Sequence, residues 1–260
     1  MRLRWYGTAT VLLEHEGTQL LFDPFISRNS LAFKPRLSDL ALIPYILVSH
    51  GHLDHISDIP RIYRRGNKKA TVFCTAAPRQ ALINQGVKAS SIRQITPGDT
   101  IPLGSLTIRV LKGRHVTFDI RMIFKTLLNP RVISYRRRII PFLREHRLYD
   151  EAGETIAFHI SSQTKSILIL GSPDLDEQTI YPYGVDLLIL PFQGRSDMAT
   201  HSMRLVSRLK PKRILLTHHD DSFPPISSAV DTKPFVRLMR RRYPEIKVCV
   251  PLPGERWWTM

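Results

Sequence analysis

Cysteine is nearly missing from this chain: among 260 residues only Cys74 and Cys249 carry a thiol. No CxxC spacing occurs, which excludes a cysteine-based zinc site, and two thiols so far apart define no disulfide framework. Each sits in an apolar, strand-like stretch (TVFCTA and IKVCVPL) and reads as a buried, reduced side chain. Long apolar runs are missing too. Pieces such as SILILG and DLLILP have strand length, well short of the ~18 residues of a membrane span. The opening MRLRWYGTATVLLEHEG is interrupted by Glu14, His15 and Glu16. It shows neither the apolar core nor the small-residue cleavage site of a secretory signal, so the expectation is a cytoplasmic protein. There is no G-x-S-x-G elbow, and neither cysteine has a histidine nearby in sequence, which argues against a serine or cysteine nucleophile.

Acid is scarce as well. The 22 Asp and Glu face 38 Lys and Arg, a formal net charge of +16. The bases clump in RIYRRGNKK (61–69), in 121–147 and in RLMRRRYP (237–244). Such a chain attracts anions: a small anionic or phosphorylated substrate, with nucleic acid or an anionic membrane surface as alternatives. No protein partner is inferable. With 43% hydrophobic and 23% charged residues, the composition is that of a globular chain able to bury a large core.

Short apolar runs separated by turns open the sequence: LRWYGT, ATVLLEHEG and TQLLFDPF, with EGT as a hairpin turn. IPYILVSH reads as a strand, then the loop SHGHLDH, then a short helix around DIPRIYRRG. TVFCTA, the helix PRQALINQG, and two or three strands across 92–115 complete the first half. Residues 119–150 differ. Their apolar positions recur at helical spacing and are broken by Pro130 and Pro141, as in a basic, helical, lid-like insertion. ETIAFHIS, KSILILG, VDLLILPF, KRILLTHH and IKVCVPLPG read as strands, with helices at ATHSMRLVSRLK and TKPFVRLMRRRY. Each half begins as a β-meander and continues with βα units. That order predicts a single α/β domain over 1–260, an αββα four-layer sandwich with the insertion at 119–150.

What is abundant is histidine, and its placement is uneven. SHGHLDHISD (49–58) holds His50, His52, Asp54 and His55 directly after an apolar run. Imidazole and carboxylate are ligands for zinc, iron or manganese. One loop cannot supply the six or seven ligands that two ions need, so others must come from the ends of rigid strands. Strand ends do carry them: Asp23 after QLLF, His115 after LTIRVLKGR, Asp174 just past SILILGSP, and His218 after RILLT, with His219, Asp220 and Asp221 behind it. Other histidines have plainer readings. His15 and His146 are solvated, His159 sits in a strand, and His201 caps or packs at a helix start.

With these residues in view, the chain resembles the metallo-β-lactamase superfamily, whose HxHxDH motif is matched in full by His50, His52, Asp54 and His55. GTATVLLEHEGTQLLFDP and THHDDSFPP are similar to a narrower branch that includes the ascorbate-6-phosphate lactonases and N-acyl-phosphatidylethanolamine phospholipase D. The resemblance implies two divalent ions, zinc first with manganese or iron as alternatives. His50, His52 and His115 would bind one, and Asp54, His55 and His218 the other, while Asp23 would orient a ligand loop without touching metal. One position departs from the family pattern. A bridging Asp usually follows the strand directly, but here GSPDLD places Ser172 in that slot and Asp174 two residues later. Either the Pro173 turn returns Asp174 to the bridge, or the site lacks a bridging carboxylate and one ion binds weakly.

The implied chemistry is hydrolysis by metal-bound hydroxide, with Asp54 as the catalytic group that orients the water and shuttles its proton. An anionic ester, lactone or phosphodiester is the expected substrate. The insertion follows the His115 loop, so Arg114, Arg121 and Lys125 are expected near the active-site mouth. A nuclease or nucleic-acid-binding role, and a non-catalytic role without the bridging ligand, are the alternatives.

Overall fold

The computed structural model describes residues 1–66, 68–117, 119, 128, 130–134, 149, 152–224, 226–255 and 257–260. Alternation dominates its opening. β1 (Arg2–Gly7), β2 (Thr10–His15) and β3 (Thr18–Phe22) form an antiparallel meander. The β2–β3 turn is made by Glu16 and Gly17, both at positive φ, the backbone that a two-residue hairpin of right-handed twist requires. β4 (Tyr45–Leu47), β5 (Thr71–Cys74) and β6 (Ile92–Gln94) then add in parallel, each reached through helices: α1 (Leu37–Leu40), α2 (Leu53–Ile56), α3 (Ile59–Arg65) and α4 (Ala76–Asn84).

The second sheet repeats the plan. β7 (Thr100–Leu103), β8 (Leu106–Lys112), β9 (Ile156–Ser161) and β10 (Ser166–Leu170) are antiparallel neighbours. β11 (Leu187–Pro191), β12 (Arg213–Thr217) and β13 (Lys247–Cys249) continue in parallel. Between them come α6 (Met198–Leu209) and α7 (Lys233–Arg242), and the earlier insertion contributes the short helix α5 (Pro130–Ser134). A final pair, β14 (Trp258–Thr259), returns to β1, giving sheet orders β14-β1-β2-β3-β4-β5-β6 and β13-β12-β11-β10-β9-β8-β7. Two residues are too short to signal a strand in sequence, and β14 was not anticipated there.

Burial explains the layers. Leu20, Phe22 and Leu47 face Phe158, Ile167 and Ile189 between the sheets. Their sequence neighbours Leu21, Ile46 and Val48 pack under Ile56, Ile62 and Leu82 of the helices. On the far side Leu188, Leu190 and Leu216 pack under Leu205, Leu209 and Phe235. Strands buried on both faces are continuously apolar, as LLILP is. The result is the expected αββα sandwich, with two mixed sheets and flanking helices. Most of 119–150, including Arg121, Lys125 and His146, lies outside the described residues, so the expected basic helical insertion is represented there by α5 and the residues Asp119, Leu128 and Tyr149. Among the described residues no helix is long and apolar enough to cross a membrane.

This architecture aims one set of strand ends at a common edge. β3 runs into Asp23, β4 into Ser49 and His50, β10 into Gly171, β11 into Gln193 and β12 into His218. The sheets are stitched there by backbone bonds from Ile156 N–H to Ser49 O (2.9 Å) and from His218 N–H to Thr8 O (2.8 Å).

Candidate metal centre

The motif loop is half loop and half helix. His50 and His52 precede α2, while Asp54 and His55 lie within its single turn, so the expected loop SHGHLDH ends in a helix. Two groups of donors result. His50, His52 and His115 form one; Asp54, His55 and His218 form the other. Within each group the donor atoms lie within 4.8 Å of one another. The imidazoles of the two groups adjoin, with ring centroids 3.9 Å apart for His50 and His55 and 5.2 Å for His50 and His115.

Four of the five rings, those of His50, His55, His115 and His218, are held from behind. His115 Nδ1–H donates to Val116 O (2.9 Å), His55 Nδ1–H faces Asp23 Oδ2 (3.1 Å), and His218 Nδ1–H donates to Gln193 Oε1 (2.9 Å). His50 Nδ1 is bonded to Ser49 Oγ at 2.9 Å. A carbonyl or carboxylate partner only accepts, so the proton sits on Nδ1 and the bare lone pair of Nε2 turns inward. Backing of this kind fixes the tautomer and orientation of a metal-bound imidazole. Nε2 of His50, a residue 1% exposed, has no hydrogen-bond partner among the described residues. His218 Nε2 stands 3.0 Å from Asp54 Oδ2, two acceptors face to face with room only for a shared cation or proton.

At His50 and Asp54 electrostatics agree with the geometry. Burial, with the fields of His55, His52 and His115 added to it, drives His50 well below the ordinary imidazole range, so it is neutral and free to donate a lone pair. Burial would raise Asp54, but the nearby His55 and His218 outweigh it and hold the carboxylate ionised. His55 is raised: burial lowers it, but Asp23 and Asp54 prevail.

Two backbone features position these groups. Asp23 (φ +44°) and His218 (φ +57°) adopt the left-handed conformation, uncommon outside glycine and concentrated at functional sites. Asp23 thereby accepts the N–H of Ser49 on Oδ1 at 2.7 Å while reaching His55 with Oδ2. His218 is held through Thr8, whose N–H donates to Asp220 Oδ1 at 2.9 Å. His219 lies against Trp5, ring centroids 4.7 Å apart.

Asp174 stands outside both donor groups. Its Oδ2 faces Arg114 Nε at 3.8 Å, and its Oδ1 accepts the N–H of Leu175 at 2.9 Å. Ser172 fills the position after the strand; its Oγ accepts the N–H of Val116 at 3.0 Å, holding the loop that carries His115. His201, buried in α6, donates from Nε2 to Pro173 O (2.6 Å) and secures the same turn. Ser49 and Gln193 were not singled out from sequence. Gln193 had a usable signal: a polar residue directly after the apolar strand VDLLILPF, at the edge where the other ligands gather.

Both donor groups open into one cavity of about 310 Å3. Residues 18–219 match the pattern of the Beta-lactamase superfamily domain. The chain belongs to the metallo-β-lactamase superfamily. Relatives within it include a UPF0173 metal-dependent hydrolase of Methanosphaera stadtmanae, 26% identical over 89% of this chain and 88% of the relative. One from Methanopyrus kandleri is 24% identical over 99% of both. Among solved structures, Igni18, a metallo hydrolase from Ignicoccus hospitalis, superposes with a TM-score of 0.68 at 20% identity, covering 100% of this chain and 98% of that one. An isothiocyanate hydrolase from Delia radicum gut bacteria gives 0.65 at 15% identity, covering 100% and 99%.

Proposed function

We propose that this chain is a metal-dependent hydrolase that cleaves an ester or lactone at the edge where the two sheets meet. The observation that carries it is the inward turn of the Nε2 lone pairs around an ionised Asp54, in a cavity large enough for a small ligand. The donors fit divalent ions. Five imidazoles and one carboxylate suit zinc before manganese or iron, and the unpartnered Nε2 of His50 is the orphan that such an ion would satisfy. His50, His52 and His115 would hold one ion, and Asp54, His55 and His218 a second. Bound there, the ions would polarise the scissile group and lower the pKa of water from ~15.7 toward ~7.

The chain's own residues handle the proton. Asp54 stays ionised at neutral pH and is placed to take the proton from the attacking water and return it to the departing alkoxide. Asp23 and Ser49 keep the rings in register from behind the cavity, and Gln193 does so from its wall. Asp174, paired with Arg114, plays no bridging part, and the second ion then depends on a single carboxylate.

The net charge argues for an anionic substrate, and the narrower likeness to lactonases and a phospholipase admits a phosphodiester. The cavity wall argues otherwise: its described lining contains no Lys or Arg. Arg114 faces Asp174 and Glu177, and Arg195 is paired with Asp197. An uncharged ester or lactone is the better fit.

A second reading, binding of nucleic acid, is favoured by α7, where Lys233, Arg237, Arg240, Arg241 and Arg242 are all exposed. It requires affinity that falls steeply with salt. The direct test of the first reading is metal content by elemental mass spectrometry, with ester and lactone hydrolysis assayed after reconstitution. Two equivalents and turnover are expected, with one equivalent and the turnover lost in His218→Ala. A protein that takes up no zinc, manganese or iron sinks the reading.

A further inference from the structure

The cavity that holds the two donor groups has a largely apolar wall, in which Ser172, Gln193, Ser222 and Ser227 are the uncharged polar residues. Beyond the histidines and Asp54, its lining includes Leu53, Val116, Pro173, Pro191, Phe223 and Ile226. A hydrolytic centre needs polar groups only where bonds change; the remaining wall reports what the substrate brings with it.

That wall is preformed. Phe223 and Ile226 project from a turn closed on itself: Ile226 N–H donates to Phe223 O (2.7 Å), Ser227 N–H to the same oxygen (2.9 Å), and Phe223 N–H to Ser227 Oγ (2.8 Å). Ser227 Oγ in turn donates to Asp221 Oδ1 (2.5 Å). The turn is anchored to the body of the fold. Arg28 N–H donates to Ser222 O (3.1 Å), Asn29 Nδ2 donates to Asp221 O (2.9 Å), and the Phe223 ring lies 5.0 Å from that of the buried Phe25. Val116 and Pro173 are fixed separately, through Ser172 Oγ and His201 Nε2. An apolar slot held by this many bonds costs little to order when a ligand enters.

We propose that this slot binds a short, uncharged alkyl or acyl arm and thereby selects the substrate, with Phe223 and Ile226 as specificity-determining residues. The assignment of the reacting bond rests on the hydrolase reading; the slot itself does not. Burying a methylene in such a wall increases affinity by about fourfold. Preference therefore climbs with chain length and levels off once the ~310 Å3 is filled. A phosphate or carboxylate at the far end of the arm meets no Lys or Arg in the described lining and is disfavoured.

Two measurements on the metal-loaded full chain separate the slot from the chemistry. The first is kcat/KM for 4-nitrophenyl esters from acetyl to octanoyl, with bis(4-nitrophenyl) phosphate and a hemisuccinate ester as charged comparators. The second is calorimetric affinity for straight-chain alkyl hydroxamic acids of the same lengths, which requires no turnover. A rise of about fourfold per methylene to a plateau is expected in both, flattened in Phe223→Ala and in Ile226→Ala. Hydroxamate affinity that climbs while no ester is cleaved supports the slot and overturns the hydrolase reading alone. Affinity and turnover indifferent to chain length, or better with the charged comparators, overturn the slot. The length dependence of the unmutated chain decides the matter even if one variant fails to fold.

Discussion

Asp23 and His55 are joined at 3.1 Å by Oδ2 and Nδ1, although 32 positions of sequence separate them and both side chains are almost fully buried. The other oxygen of the same carboxylate holds the backbone of Ser49 at 2.7 Å. One side chain therefore aims a ligand and anchors the loop that carries two more. Asp23→Asn keeps the left-handed backbone that Asn tolerates, but it cannot satisfy both donors as an ionised carboxylate does. Metal affinity is expected to fall ten- to a hundredfold, measured by competition with a chromophoric chelator. Unchanged affinity would remove Asp23 from the site.

Ser172 holds the loop of His115, while Asp174, two residues on, lies outside both donor groups. Asp174→Ala is expected to leave metal content as it was, because Asp174 faces Arg114. Ser172→Ala strips the buried Val116 N–H of its acceptor, a loss of ~1–3 kcal/mol, and loosens the loop of His115. Denaturant unfolding and elemental analysis of both variants check the contrast. Loss of an ion in Asp174→Ala would show that its carboxylate reaches the metals after all.

Gly171 cannot grow a side chain. A Cβ there would meet Ile156 O and Ser49 Cβ at 2.5 Å each. Ile156 and Ser49 are the residues whose backbones join the two sheets beside the motif, so Gly171→Ala pushes at the ligand loop itself. A destabilisation of ~1–3 kcal/mol is expected, with weaker metal binding, read by thermal denaturation with and without zinc.

The metal-free protein should lose stability on mild acidification. His50, His159 and His219 are all lowered from the ordinary 6.5, chiefly by burial. For these the unfolded chain takes up protons first, so the stability they contribute is lost as pH falls below about 6.5. His55 acts in the opposite sense: its raised value contributes stability below 6.5 that disappears as pH rises through it. Of these, His50 is the one displaced well below its ordinary range, and it sets the expected direction. The Tm of chelator-treated protein is expected to drop between pH 7 and pH 5, and a rise over that range would reverse the assignment. Asp54 adds a further loss only as pH falls below its ordinary 3.8.

Much of this protein is written locally. Alternation in ATVLLEHEG and double-sided apolarity in LLILP dictate strands, and the 3.6-residue spacing of Leu205, Leu209 and their neighbours dictates a helix, because these patterns decide which faces can leave water. The candidate ligand types were equally legible. His50, His52, Asp54 and His55 sit within six residues, and His115 and His218 end strands whose direction follows from the order of elements. Tertiary structure decided what no local spacing encodes. Whether Ser172 or Asp174 faces the cavity depends on Arg114 and Val116, reached from another strand. The α2 turn inside the motif and the two-residue β14 exist only because a packed neighbour stabilises elements too short to hold alone. The chemistry of the histidines depends on this too. Each imidazole is a ligand in one tautomer only, and the partners that select it for His55 and His218, namely Asp23 and Gln193, are brought to them by the meeting of strand ends.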